Sequence, residues 1–234
     1  ALATSVDDAD LNIAIGKLAM GAADVSGFNN IALGTTSMDA LTTGACNIAM
    51  GINALGAATT GCRNVAIGDA AMGSAAVTGL NNIAIGLASL YKTTSGLCNV
   101  AIGVEALCCA TTGCLNIAIG QTSLAAATIG LKNIAIGCEA LGASTTGALT
   151  DNIAIGSTAM GLGVGTGANN IALGQTAAQS MVAAACNIAI GTGAMGTLVT
   201  THHNIAIGTN AMCTAACGTS NIAIGCGAMK TGAT

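Results

Sequence analysis

A five-residue motif, Asn-Ile-Ala-Ile-Gly, recurs along the whole sequence and constrains the fold more than any other feature. It occurs thirteen times, with only Val, Leu or Met replacing an isoleucine, at spacings of 17 to 19 residues. A short period that persists along a chain is typical of a solenoid, in which each repeat forms one coil. We therefore predict an all-β fold, a parallel β-solenoid (β-roll) of about thirteen 17–19-residue coils, as a single repeat domain over residues 1–234.

Each motif predicts a short β-strand that ends at its glycine. With the asparagine numbered as position 0, β-branched or other apolar residues at +1 and +3 flank an alanine at +2, which is the alternation of a strand. Position +8 is Leu or Met in twelve repeats, with Ala178 as the exception. We predict coils of two short strands and two turns, whose inside is filled by the residues at +1, +3 and +8.

The asparagine at position 0 does not vary. Stacked coils lie about 4.8 Å apart, so equivalent asparagines would lie directly above one another. Side-chain amides stacked in this way can hydrogen-bond along the stack as a ladder. The predicted structural Asn ladder comprises Asn12, Asn30, Asn47, Asn64, Asn82, Asn99, Asn116, Asn133, Asn152, Asn170, Asn187, Asn204 and Asn221.

The alanine at position +2 is equally constant. A solvent-facing strand position tolerates many residue types, so an unvarying alanine indicates a second surface packed tightly against it. We predict that this surface is another copy of the chain in a symmetric oligomer. A bulky residue at Ala118 or Ala135 should then disrupt association without straining the coil. The predicted inter-chain Ala face comprises Ala14, Ala32, Ala49, Ala66, Ala84, Ala101, Ala118, Ala135, Ala154, Ala172, Ala189, Ala206 and Ala223.

Composition excludes several functions. Charged residues make up 6% of the chain and the net charge is −4, which does not suit nucleic-acid binding. Residues 152–229 contain no Asp, Glu, Lys or Arg, but polar residues interrupt every apolar run, so we predict no membrane span. The sequence shows no signal peptide, does not begin with Met and ends within a repeat, so we expect a segment of a longer fibre.

Few residues suggest a metal site. His202 and His203 are interpreted as a surface turn, with an adventitious metal ion as the alternative. The stretch from Asp8 to Asn12 resembles the start of a calcium loop but lacks its glycine and its final glutamate, which favours an acidic turn. The eleven cysteines share no single repeat position and form no CxxC pair. Small loop residues are the favoured interpretation, with metal ligands or a chance disulfide as alternatives.

No catalytic set can be assembled from the sequence. The glycine-rich stretch 161–167 has no following Lys-Ser or Lys-Thr and opens no helix, so it is interpreted as a lengthened turn. Glu105 and Glu139 both occupy position +6, two coils apart, and the only two histidines are adjacent. We predict that the chain is not an enzyme and uses no cofactor.

The pattern Thr-Thr-Gly-x-x-Asn-Ile-Ala-Ile-Gly-x-x-Ala-Leu resembles the repeats of phage tail fibres and the head repeats of trimeric autotransporter adhesins. The resemblance covers residues 12–229. It implies a homotrimeric β-roll in the shaft of an extracellular or virion-surface fibre, with an adhesion or host-attachment role and an unknown cell-surface receptor as partner.

Three alternatives stay open. The chain could build an extracellular filament by end-to-end stacking, since terminal coils expose strand edges. It could bind ice or another flat surface, although its threonines are adjacent and lie in turns rather than in a Thr-x-Thr file. A polysaccharide-cleaving spike is less favoured, because acidic and aromatic residues are scarce.

Overall fold

A computed structural model describes residues 11–21, 25–143, 149–162, 167–197, 200–214 and 218–230. These residues form an all-β structure of thirteen short parallel strands, one for each sequence repeat. The chain divides into two compact units, Ala1–Leu115 and Asn116–Thr234. Whether the two units form the single repeat domain predicted over residues 1–234 stays a prediction.

Unit 1 contains six strands that pair in chain order, all parallel and in register. Each strand covers positions +1 to +3 of its repeat, so isoleucine pairs with isoleucine or its replacement, and alanine with alanine, as in Ile31↔Ile48 and Ala32↔Ala49. The strands are β1 (Ile13–Ile15), β2 (Ile31–Leu33), β3 (Ile48–Met50), β4 (Val65–Ile67), β5 (Ile83–Ile85) and β6 (Val100–Ile102).

Unit 2 repeats the arrangement with seven strands. Its pairs also lie in strict register, even across the 19-residue repeat, where Ala135 pairs with Ala154. The strands are β7 (Ile117–Ile119), β8 (Ile134–Ile136), β9 (Ile153–Ile155), β10 (Ile171–Leu173), β11 (Ile188–Ile190), β12 (Ile205–Ile207) and β13 (Ile222–Ile224).

The second strand predicted for each coil is reduced to isolated bridges. Such bridges join residues two positions before the asparagine, for example Cys62↔Leu80 and Ala185↔His202. The apolar pair at +7 and +8 lies in a turn instead, and the residue at +8 has a positive φ, such as 50° at Met72 and 52° at Leu107. Because β-branched side chains are strongly disfavoured at positive φ, this position carries Leu, Met or, at Ala178, Ala, and never Ile or Val.

The inside of each coil is not filled as the sequence suggested. The alanines at +2 from Ala32 to Ala223 are at most 3% exposed within a single chain. The Leu and Met side chains at +8 are also buried, as predicted, except for Met229 in the last repeat. The core therefore contains the asparagine, the alanine at +2, the Ala or Ser at +7 and, in most coils, the Leu or Met at +8, and some coils bury a further apolar side chain such as Leu41 or Val77.

The predicted inter-chain role of the Ala face is therefore wrong. The alanines from Ala14 to Ala223 point into their own coil, and the isoleucines at +1 and +3 point outward. The reason is that position +2 lies on the same side of the strand as position 0, whose asparagine is buried in the ladder. A coil of seventeen residues encloses little space, and the isoleucines do not fit beside the asparagine and the Leu or Met.

Among the described residues, no helix has the length and the apolar character needed to cross a lipid bilayer.

Candidate interaction face

The asparagine side chains form a continuous ladder within each unit. The side-chain Nδ2 of Asn82 donates to Oδ1 of Asn64 at 3.1 Å and to the backbone oxygen of Gly96 at 2.8 Å. Its Oδ1 accepts from the backbone N–H and from Nδ2 of Asn99, both at 3.0 Å. The asparagines from Asn30 to Asn204 are at most 1% exposed. Since both the donor and the acceptor of each amide are used, no residue with only one of the two functions can replace it.

The ladder holds each strand at a defined height and orientation. Each asparagine joins the side chain of the preceding coil to the backbone of the following one, directly before the first residue of the strand. The backbone between coils adds further bonds, such as Ile31 N–H to the Asn47 oxygen at 2.9 Å. The residues at +1 and +3 are therefore presented at regular intervals on the outer side of the sheet.

Within each unit, these outward residues form two parallel files of apolar side chains, which we call the isoleucine face. It comprises positions +1 and +3 of every repeat, all of them Ile, Val, Leu or Met. None of these side chains is buried. Nine of the twenty-six are exposed, for example Ile102 (37%), Ile117 (36%) and Ile155 (40%), and the other seventeen are partly exposed. An uninterrupted exposed apolar surface of this kind marks an interaction site.

The isoleucine face is bordered by two lines of exposed residues, at positions −1 and +5, which we call the rim. All thirteen residues at each rim position are exposed. The rim is mixed in character and includes Arg63, Lys132 and Asp151 at −1 and Asp69 and Gln121 at +5. An apolar centre with a more polar, accessible border is the usual anatomy of a protein–protein interface.

The two histidines do not combine into a site. His203 is exposed, as predicted for a surface turn, whereas His202 is partly buried and its Nδ1 accepts from the backbone N–H of Ala185 at 3.1 Å. The ring centroids are 6.4 Å apart. Within the described parts of the chain, no group of three or more His, Cys, Asp or Glu is arranged to hold a metal ion.

The cysteines fall into two sets. Ten of them are described, five exposed and five partly buried. In the second set, the sulfur atoms of Cys108 and Cys109 are 3.5 Å apart. Burial, reinforced by the hydrogen bond with Cys109, raises the pKa of the Cys108 thiol to about 12. Cys217, the acidic stretch from Asp8 to Asp10 and residues 163–166 of the predicted glycine-rich turn lie outside the described residues.

One cleft in unit 1 places thiols beside a cation. It has a volume of about 380 Å³, and its lining includes Cys46, Cys62 and Arg63 together with Phe28 and Leu80. The lining residues contain no histidine or carboxylate. The lining of the cleft therefore provides no side chain that could act as a general base for a cysteine nucleophile.

Comparison with protein-family models gives no match to this chain. Comparison with curated protein sequences gives no significant match either.

The arrangement is suited to apolar contact rather than to chemistry at a single centre. The sequence contains the signal for this face, since the asparagine and the alanine are two residues apart and must share one side of the strand. Once the asparagines are placed inside the coil, the isoleucines can only lie outside.

Proposed function

We propose that this chain is a structural subunit that associates with copies of itself through the isoleucine face, as the shaft of an extracellular or virion-surface fibre. The observation that supports it is the unbroken pair of apolar files along every described strand. Three chains around one axis are the arrangement that the resemblance to tail-fibre and adhesin repeats implies. In this proposal the shaft serves adhesion or host attachment, with a cell-surface receptor as the partner.

A second copy of the chain suits this face better than an unrelated partner. Each strand presents the same two side chains at a spacing of about 4.8 Å, so another copy offers the same spacing and the two sets can interdigitate. The face carries no charge, since every residue at +1 and +3 is apolar. Association of two such faces therefore leaves no charge unpaired in the interface.

The energy gained depends on the number of coils. Covering a side chain that is about two-fifths exposed contributes roughly 0.5–1 kcal/mol. Unit 2 has fourteen outward side chains, two for each of its seven strands, of which four are at least 36% exposed and the other ten are less exposed. Covering all fourteen would contribute at most about 7–14 kcal/mol. Association itself costs roughly 4–15 kcal/mol. A few coils would not suffice, which is a physical reason for a long repeat array.

The test compares two isoleucines of the same repeat. Ile117 lies on the isoleucine face and is 36% exposed, whereas Ile129 lies in a turn away from it and is 44% exposed. Ile117→Glu would place a carboxylate in the proposed interface, while Ile129→Glu leaves it in water. Light scattering should give the wild-type chain and Ile129→Glu a mass near three chains and Ile117→Glu a lower mass, with unchanged circular dichroism.

Two outcomes would contradict the proposal. A wild-type monomer would leave the isoleucine face without a second copy, and the flat-surface binder would become the better interpretation. Equal masses for the two variants would show that the copies associate elsewhere, for example through terminal coils.

A further inference from the structure

All the exposed cysteines of the described residues lie on the rim of the isoleucine face. Three of them occupy position −1, namely Cys46, Cys98 and Cys186, and two occupy position +5, namely Cys138 and Cys226. The partly buried cysteines lie elsewhere or at the less accessible position −2, and they are Cys62, Cys108, Cys109, Cys114 and Cys213. Other exposed positions, such as Thr43, Thr60 and Thr112 in the turns, carry no thiol.

Within unit 1, the rim thiols cannot reach one another. Cys46 and Cys98 occupy the same side of the rim, three coils apart. At about 4.8 Å for each coil, their Cα atoms are roughly 14 Å apart. A disulfide requires Cα atoms no more than about 7 Å apart.

Unit 2 gives the same result. Cys138 and Cys226 are on one side of the rim but five coils apart, and Cys186 is on the opposite side. The two sides are separated by six residues of nearly extended chain, which is roughly 20 Å. No rim cysteine therefore has a disulfide partner on the rim of its own unit.

We propose that the rim cysteines form disulfides between copies of the chain and so join the assembled fibre covalently. This inference rests on the proposed function, because rims come together only when isoleucine faces pack against each other. It adds a modification site, a set of thiols placed for inter-chain oxidation, that the apolar contact alone does not require.

The reaction is thiol–disulfide exchange with a low-molecular-weight disulfide such as oxidised glutathione. One rim thiolate attacks the reagent, forms a mixed disulfide and releases one glutathione thiolate. A rim thiolate of the second copy attacks the protein sulfur and releases the second glutathione. Two protein thiols are oxidised to one disulfide, and one oxidised glutathione is reduced to two thiols.

The face determines the efficiency of the second step. Two thiols held on adjoining rims react as if at high effective concentration, whereas free chains in dilute solution meet rarely. Exposure favours these thiols over the recessed set, since the thiolate must be accessible to attack. Oxidation would then convert an association that depends on concentration into a covalent one.

The experiment uses two variants with the same number of changes. In the rim variant, all five rim cysteines are replaced by serine. In the recessed variant, the five partly buried cysteines are replaced, and Cys217 is kept in both. Each protein is oxidised with glutathione at low chain concentration and run on a denaturing gel without reductant, after light scattering in reducing buffer.

The wild-type chain and the recessed variant are expected to give covalent multimers that disappear on reduction. The rim variant should show at least a tenfold loss of these multimers while keeping the same mass in reducing buffer. A monomer in reducing buffer would overturn the proposed assembly. An assembly of unchanged mass without covalent multimers, or a rim variant that cross-links like the wild type, would overturn the disulfide inference alone.

Discussion

Replacing Asn170 with aspartate tests the asparagine ladder, because the change removes two hydrogen-bond donors and keeps the size of the side chain. Nδ2 of Asn170 donates to Oδ1 of Asn152 at 3.1 Å and to the backbone oxygen of Ala184 at 2.7 Å. Its Oδ1 accepts from the backbone N–H and from Nδ2 of Asn187, at 3.0 and 3.1 Å. Asn170→Asp keeps the two hydrogen bonds that Oδ1 accepts from Asn187. It replaces the two that Nδ2 donates, to Asn152 and Ala184, with contacts between oxygen atoms.

The expected loss of stability is large. A buried acceptor that loses its donor costs about 1–3 kcal/mol. The side chain of Asn170 is only 1% exposed. Burying a carboxylate at this position costs roughly several further kcal/mol of desolvation. Together these give about 5 kcal/mol or more at neutral pH, which equals the whole unfolding free energy of many domains.

The neighbouring residue provides the control. Asn169 is exposed, and its φ of 58° is matched by the φ of 56° at Asp151, the natural aspartate at the same repeat position. Asn169→Asp makes the same chemical change one residue away and should cost less than about 0.5 kcal/mol, as surface substitutions usually do. Urea unfolding followed by circular dichroism measures both values.

The pH dependence gives a second check on Asn170→Asp. Burial favours the neutral form of the introduced carboxyl and raises its pKa above that in the unfolded chain. On protonation the carboxyl loses its charge and regains one donor, so the deficit relative to wild type should shrink as the pH falls. Equal costs for the two variants, or a deficit that grows on acidification, would refute the ladder as the source of stability.

Three further predictions concern single positions. Gly120→Ala should lower the free energy of unfolding, measured in urea, by more than Gly225→Ala does. The two glycines have similar φ values, +130° and +125°, but only at Gly120 would the added Cβ lie 2.5 Å from the carbonyl oxygen of the next coil. Equal losses for the two variants would contradict this prediction. Thr201→Val should raise the unfolding free energy by about 1 kcal/mol, since among the described residues its buried Oγ1 has no partner. Thr93→Val should lower it by about as much, because Thr93 Oγ1 donates to a backbone oxygen at 3.1 Å; effects of the same sign would refute the distinction. Cys108 should react with iodoacetamide at pH 8 at least about tenfold more slowly than the rim cysteines, because a pKa raised to about 12 keeps its thiol protonated. Peptide mass spectrometry measures the rates, and equal labelling would contradict the prediction.

The repeat period predicted the strands and their number, because register in a solenoid follows from spacing alone. The sidedness of the strand was harder to predict. Isoleucine is usually buried and alanine fits either side, so hydrophobicity favours the wrong assignment. The even spacing between Asn82 and Ala84 is the stronger signal. Because residues two apart lie on the same side of a strand, burying the asparagine also buries the alanine.

The rim could not be recognised until the isoleucine face was placed. Cys46 and Cys98 then lie on one border of the face in unit 1, and Cys186 and Cys138 lie on opposite borders of the face in unit 2. The turns were also beyond sequence reasoning. Four threonines at position +6, such as Thr158 with φ 53°, have a conformation that β-branched residues disfavour. In each of them Oγ1 donates a hydrogen bond to the carbonyl oxygen of the preceding residue, and no residue pattern in the sequence indicates this contact.

The strict register between neighbouring strands has a consequence for the rate of folding. Parallel sheets usually fold slowly, because their paired strands are separated by long connections whose closure is entropically costly. Here each strand pairs with one that begins 17 to 19 residues away, as in Ile31↔Ile48 and Ile134↔Ile153. Relative to 234 residues, that separation corresponds to a contact order of about 0.07–0.08, which is the range of helical bundles. A nucleus of two coils formed anywhere within a unit could grow one coil at a time in either direction, so this parallel sheet should form at rates that are usual for helical proteins.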